Sequence, residues 1–146
     1  YRHLSVDATH KGYSDLINNS DDAILSIANY LKSFGWIKNN PIAIPARFSP
    51  TALLHLPKSQ ENFTVKDFEK YHIYAKKKIP SYLKTFLIVL PLKQGNEYWL
   101  GFNDFQTIKH YNSSSLYAMA VFQLSELIQH LHQQHWYALR VNQDGW

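Results

Sequence analysis

Ile108-Lys109-His110-Tyr111-Asn112-Ser113-Ser114-Ser115-Leu116-Tyr117-Ala118-Met119-Ala120-Val121-Phe122-Gln123-Leu124 decides the fold, because it joins a helical apolar pattern to polar groups that packing does not need. Leu116, Ala120, Leu124 and Leu127, with Val121 and Ile128 beside them, follow the three-and-four spacing of an amphipathic helix and form its expected core face. Ser113 to Ser115 supply hydroxyls that accept from the N–H groups of a first turn, which starts the helix just after Asn112. Tyr111, Asn112 and Tyr117 then gather at its N-terminal mouth. An amide that both donates and accepts, set among rings that stack on a sugar face, is carbohydrate-site chemistry.

Outward from this block, Ser20 and the acidic pair Asp21-Asp22 suit the start of another helix. Ile24, Ile27, Ala28 and Leu31 would be its buried stripe, and Gly35 after Phe34 is available as the C′ residue. Residues 37–102 change character. Pro41-Ile42-Ala43-Ile44-Pro45 reads as extended, Thr64-Val65-Lys66-Asp67-Phe68-Glu69 as a short capped helix, and Thr85 to Leu90 as a strong strand. Lys93-Gln94-Gly95-Asn96 should turn that strand into Glu97 to Gly101, giving a hairpin, after which the chain returns through Phe105. The expected class is α+β, with the helices near 21–34 and 115–131 packed together.

With 146 residues and 45% hydrophobic composition, the chain can bury a core as one domain or one lobe of a larger unit. The net charge of +4 is dispersed except for Lys76-Lys77-Lys78 with Lys84 nearby, which a solvated loop explains; nucleic acid is therefore not an expected partner. Zero cysteines exclude disulfides and thiolate metal sites. No apolar run reaches the roughly 18 residues of a membrane-spanning helix. The Asn-x-Ser/Thr sequences at Asn18, Asn62 and Asn112 are discounted as glycan acceptors, since nothing else suggests a eukaryotic secretory setting.

The opening stretch resembles the "RYN-x-S-x-x-YA-x-AV" signature of the lytic murein transglycosylase B family, with His110 where that family usually has Arg. Asp22-Ala23-Ile24-Leu25-Ser26-Ile27-Ala28-Asn29-Tyr30-Leu31-Lys32-Ser33-Phe34-Gly35-Trp36 resembles its "DAI-x-S-[IV]-ANY-[LF]-x-x-x-GW", and Tyr98-Trp99-Leu100-Gly101-Phe102-Asn103-Asp104-Phe105 its "YW-x-G-x-x-NF". The similarity covers residues 1–36 and 95–128 most clearly, whereas 129–146 reads as an extension. It implies a lysozyme-like helical core made of segments 1–36 and 103–146, with a small hairpin-containing α/β subdomain, 37–102, inserted between them.

The resemblance also implies peptidoglycan glycan strands as partner and the bacterial periplasm or outer membrane as location. The reaction it implies is cleavage between N-acetylmuramic acid and N-acetylglucosamine that leaves a 1,6-anhydromuramoyl end. Family members carry one catalytic Glu upstream of a "QFMPSSY" segment, and Tyr1-Arg2-His3 resembles the end of that segment and its continuation. The acid/base Glu is accordingly expected in an upstream segment of a parent chain, and this piece is expected to bind without cleaving. A non-catalytic peptidoglycan-binding or envelope scaffold domain is the alternative.

Asn112 is the leading site residue if Ser113 or Ser114 caps the helix and leaves its amide for a sugar; the competing reading is that Asn112 is itself the cap. The family's substrate-contacting Asn favours the first. Tyr111, Tyr117 and Tyr30 align with cleft residues but also suit core rings with satisfied hydroxyls. Asp7-Ala8-Thr9-His10-Lys11-Gly12-Tyr13-Ser14-Asp15 is similar to a calcium loop, with oxygen ligands alternating before a Gly turn. Lys11 stands where a carboxylate belongs, leaving Asp7, Thr9, the Tyr13 carbonyl and Asp22 incomplete, so no metal or other cofactor is expected and a Lys11 ion pair to Asp7 or Asp22 is the suggested replacement. His130, His132 and His135 read as a solvated helix end. Glu97, Asp104 and Glu126 form no recognisable acid and base pair.

Overall fold

The computed structural model describes residues 3–49 and 51–144, with side-chain surroundings as far as His135. Tyr1 and Arg2, and with them the start of the motif-like junction, lie outside the described residues. The elements in order are α1 (Ser20–Ser33), β1 (Ala43–Phe48), a 3-10 turn (Ala52–His55), α2 (Val65–Lys70), β2 (Ile73–Ala75), β3 (Phe86–Pro91), β4 (Asn96–Gly101), α3 (Asn103–Tyr111) and α4 (Ser115–Asp144).

The strands form one antiparallel sheet in the order β2-β1-β4-β3. The expected hairpin is its strongest part: Phe86 pairs with Gly101 and Pro91 with Asn96, and the Leu92 N–H donates to the Gly95 carbonyl at 3.0 Å. Gly95 sits at φ +76°, a conformation that a side chain strains, which is why glycine marks this turn. Alternation then sorts the strand residues between two cores. Ile88, Leu90 and Ala43 pack with Phe105 and Ile108 of α3 and Ala118, Met119 and Phe122 of α4. Ile44 and Leu100 pack on the other face with Val65 and Phe68 of α2, together with Ala52 and Ile73. The sheet is thus the middle of three layers, and segments 37–102 and 103–146 share one of its cores.

The short helix α2 starts as its sequence predicts. Asp67 accepts from the Thr64 N–H at 2.9 Å and the Thr64 hydroxyl at 2.7 Å, and pairs with Lys70 at 2.7 Å. The Lys70 hydrogen bond, followed by those from Thr64, holds the Asp67 carboxyl well below the usual carboxylate range. Because its folded pKa is depressed, the stabilisation is present above the unfolded pKa near 3.8 and is lost as pH falls below it. Asp67→Asn is therefore expected to lower the melting temperature at neutral pH and to converge with the parent in strong acid, as followed by circular dichroism. A deficit that persists unchanged in acid would contradict this.

Helix α1 ends as predicted, with Gly35 at φ +92° and the Gly35 and Trp36 N–H groups donating to the Lys32 and Leu31 carbonyls. Its start also agrees, at Ser20 with Asp21 and Asp22 in the first turn, and Asn19 is the cap, its side-chain oxygen accepting from the Asp21 and Asp22 N–H groups. Its buried face differs from the sequence reading. Ile24 and Ile27 are exposed, at 62% and 51%, while Asp22 and Ser26 are buried. The physical reason lies in residues 4–15, whose backbone donors need acceptors: Ser26 takes the Val6 N–H at 2.8 Å, and Asp22 takes those of Ala8 and Asp15, each at 2.8 Å.

The C-terminal helices correct the opening expectation in a similar way. Residues 103–111 form the separate helix α3, and α4 begins after it. The buried face of α4 is Ala118, Met119 and Phe122; Leu116, Leu124, Leu127 and Ile128 are more than half exposed. Helices α1 and α4 accordingly do not pack on the predicted stripes; they meet around Tyr111 of α3.

Candidate functional site

The junction of α3 and α4 is built by three consecutive polar residues. Asn112 ends α3 in extended backbone (φ −147°, ψ 121°), and its side-chain oxygen accepts the Ser114 N–H at 3.0 Å. The Ser114 hydroxyl in turn accepts the Tyr117 N–H at 3.3 Å, and its carbonyl takes the Ala118 N–H at 3.0 Å. Ser114 therefore caps the start of α4, and Asn112, which ends α3, is not the cap of α4. Asn112 uses its oxygen to shape the turn, and no described residue takes a hydrogen bond from its Nδ2. The exposed amide keeps its donors available.

Tyr30, Tyr111 and Tyr117, placed on three different helices, come together here. Tyr111 meets Tyr117 in a stacked arrangement at 6.1 Å and Tyr30 edge-on at 5.9 Å. Tyr30 continues to Phe34 at 4.6 Å, and Phe34 stacks with His110 at 4.9 Å. Ring pairs in these geometries reinforce one another beyond simple burial, so the rings form one continuous wall. Ile27, Leu31, Ile108 and Val121 complete a cavity of about 230 Å³ lined by the three tyrosines. Phe34 and His110 are not among the site residues expected from the sequence; His110, beside Tyr111 and in place of the signature Arg, is the signal that points to them.

What fixes the wall is a clamp between the end of α1 and the start of α3. Buried Asp104 accepts the Ile37 N–H at 2.9 Å and the Asn103 amide at 3.1 Å, while the same Asn103 amide donates to the Gly35 carbonyl at 2.7 Å. One oxygen of Asp104, Oδ1, is thus a structural acceptor, while its Oδ2 is buried with no hydrogen-bond partner among the described residues; Glu97 and Glu126 are exposed, on β4 and α4. The lining of the tyrosine cavity among the described residues holds no carboxylate.

The calcium-like loop is held by its own backbone. Asp7 accepts the Lys11 and Gly12 N–H groups at 3.1 and 2.7 Å, and Asn19 donates to the Thr9 hydroxyl at 3.2 Å. Burial pushes the Asp7 carboxyl up, but the Lys11, Gly12 and Thr9 N–H groups outweigh it and hold the carboxyl below its ordinary value. Asp15 is likewise held low by Asn18, through its backbone and side chain. The suggested Lys11 ion pair to Asp7 or Asp22 is not formed: among the described residues the ion pair is Lys70–Asp67. Neutral N–H donors satisfy both carboxylates, so the lysine ammonium is not needed there. Lys76 to Lys78 are exposed, Lys84 donates to Asn62 at 2.9 Å, and His130 lies 2.9 Å from Gln134 on the exposed end of α4. No group of three acidic or imidazole side chains suited to a metal occurs among the described residues.

Known proteins share the fold and much of the sequence of this chain. Membrane-bound lytic murein transglycosylase B of Escherichia coli strain K12 is 30% identical over 128 residues, which is 88% of this chain and 35% of that protein. The chain thus spans about a third of its relative's length. Escherichia coli lytic transglycosylase Slt35, solved in complex with calcium, superposes with a TM-score of 0.73 at 31% identity over 86% of this chain and 39% of that one. SltB3 from Pseudomonas aeruginosa, solved with NAG-anhNAM-pentapeptide, gives 0.71 at 27% identity over 82% and 33%. The helices and four-stranded antiparallel sheet are therefore those of the lysozyme-like lytic transglycosylases. Residues 1–126 match the family described as the transglycosylase SLT domain, and the chain belongs to that family.

Proposed function

We propose that the tyrosine wall is one side of a glycan cleft in a peptidoglycan lytic transglycosylase that cleaves the β-1,4 bond between N-acetylmuramic acid and N-acetylglucosamine. The observation that carries this reading is the convergence of Tyr30, Tyr111 and Tyr117 on one cavity beside the exposed Asn112 amide. Flat rings match sugar faces, and the amide matches hydroxyl and N-acetyl groups. In this reaction one carboxylic acid protonates the leaving oxygen and then accepts the proton of the muramoyl 6-hydroxyl as that oxygen attacks the anomeric carbon, closing the anhydro ring. Asn112 orients the sugar and the tyrosines shape the cleft; the carboxylic acid comes from an upstream segment of a longer parent. The test is co-sedimentation with insoluble peptidoglycan: Tyr111→Ala and Tyr117→Ala should each release the protein, and binding indifferent to both would sink the assignment.

The carboxylate-free lining also favours a second reading, a non-catalytic peptidoglycan-binding or scaffold domain. A longer parent without glycan-cleaving activity would select it. Either role fits the periplasm or the outer membrane, in keeping with the membrane-bound relative. No helix among the described residues is long and apolar enough to cross a membrane.

We also infer that the residue 7–15 loop works without calcium, because Asp7 and Asp22 already serve backbone donors and Lys11 occupies a ligand position. Calcium that binds only the folded form must raise its melting temperature. Adding calcium is therefore expected to leave the melting temperature unchanged; a clear rise that Asp7→Ala abolishes would overturn the inference.

A further inference from the structure

The positive charge that reads as dispersed along the sequence is segregated in the fold. Residues 37–102 hold ten of the fifteen lysines and arginines but four of the eleven aspartates and glutamates, while the segments on either side hold more acids than bases. No acidic residue occurs from Ala23 to Gln60 or from Tyr71 to Asn96, the stretches that contain β1 and β2. Between those stretches, Asp67 is engaged by Lys70.

Pairing of β1 with the edge strand β2 decides where the charge points. Ala46 opposes Ala75 and Phe48 opposes Ile73, and all four pack into the core beside α2. Alternation then turns Arg47 and its cross-strand partner Tyr74 to the other face, with Ser49, His72 and Lys76 in the same phase. Helix α4 covers that face at Ala43 but not here: Arg47, Ser49, His72, Tyr74 and Lys76 are exposed, and so are Lys77 and Lys78 beyond them. The Arg47 guanidinium lies 5.8 Å from the centre of the Tyr74 ring, and the His72 Nδ1 lies 3.4 Å from the Tyr74 hydroxyl. With Ser49 these side chains line an open depression of about 380 Å³.

The connections that leave the two ends of this ribbon hold Leu54, 80% exposed, and Tyr82, 75% exposed. Cations on an open face flanked by exposed apolar side chains match a charged surface with an apolar interior, whereas a soluble polyanion would make no use of the apolar groups. A single-stranded nucleic acid needs rings free to stack, and the Tyr74 ring is already taken by Arg47. We propose that this face docks on an anionic phospholipid surface: Arg47 and Lys76 to Lys78 meet the headgroup phosphates, and Leu54 and Tyr82 sink into the headgroup boundary. The inference is independent of the tyrosine cavity, whose lining comes from α1, α3 and α4.

The experiment is co-flotation of the protein with phosphatidylcholine vesicles containing about a third phosphatidylglycerol, against phosphatidylcholine alone, over a range of salt. Binding should need the anionic lipid and fall as salt rises. Arg47→Gln and Lys76→Gln should each weaken it about fivefold, and the two combined with Lys78→Gln should abolish it. Lys93→Gln, at the hairpin turn on the far edge of the sheet, should leave it unchanged. Leu54→Ser and Tyr82→Ser should weaken it with every cation in place. All these side chains are exposed, so melting curves followed by circular dichroism should match the parent. No binding to the anionic vesicles, equal binding to the neutral ones, or indifference to the Arg47 and Lys76 variants would overturn the proposal. So would release by millimolar inorganic phosphate, which would make the face a free-phosphate site. Equal retention by a single-stranded oligonucleotide, unaltered by Leu54→Ser and Tyr82→Ser, would overturn it in favour of a nucleic acid.

Discussion

Incubated with purified peptidoglycan, the 146-residue chain is expected to release no 1,6-anhydromuropeptide. The cavity that gathers Tyr30, Tyr111 and Tyr117 has no carboxylate in its described lining, and the buried Asp104 is engaged by Ile37 and Asn103. Proton transfer to a leaving oxygen requires an acid within hydrogen-bond reach, and proximity of this kind cannot be replaced by binding alone. In an active longer parent, Asn112→Ala should lower kcat/KM by an amount equivalent to about 1–3 kcal/mol, the cost of leaving a buried substrate group without its partner. Chromatography of soluble products separates the outcomes. Robust anhydro product from the chain itself would move the search for the acid to Glu97, Asp104 and Glu126, while full activity of the Asn112 variant would remove that amide from the cleft.

The local pieces of this fold were legible because their signals are short-range. Thr64 and Asp67 specify a helix start, Gly35 a helix end and Gly95 a hairpin, each through hydrogen bonds within a few residues. Which face of a helix is buried is a long-range property, and there the pattern misled. Helix α4 carries two apolar sets, and the longer one, Leu116, Leu124, Leu127 and Ile128, outweighed Ala118, Met119 and Phe122, although only the latter reach the sheet. On α1 the isoleucines dominated the periodicity, while the face turned inward is set by Asp22 and Ser26 serving the backbone of residues 4–15. Period reveals that a helix has an apolar side, not what covers it.

The geometry of the candidate site was legible to the same extent. Asn112 and the tyrosines could be singled out because an exposed amide and rings beside a capped helix start are chemically unusual, and Ser114 does take the capping role that leaves the Asn112 donors available. The separate helix α3 was hidden by its length: nine residues with Lys109 and His110 in the last turn give too little periodic signal. Missing α3 meant missing the clamp from Asp104 to Ile37, and with it the reason Tyr111 faces Tyr30.

That clamp and the sheet core meet at Phe105, which makes Phe105→Ala the substitution expected to cost most stability. Phe105 is fully buried, follows Asp104 directly and packs near Phe86 at 6.1 Å between ring centroids. Truncating such a ring removes its burial and leaves a void that a sheet on one side and α4 on the other cannot close, about 3–5 kcal/mol in comparable cores. In a chain of this length that corresponds to a drop in melting temperature on the order of 10 °C. The loss should also reach function below the melting point, because α3 carries Tyr111 at its far end and a loosened α3 no longer holds that ring against Tyr30 and Tyr117. Peptidoglycan binding should therefore weaken in Phe105→Ala while the protein is still folded, and should survive in Phe68→Ala, whose ring lies in the core on the opposite face of the sheet. Equal binding losses in the two variants at matched stability would show that the tyrosine wall depends on the fold as a whole and not on α3.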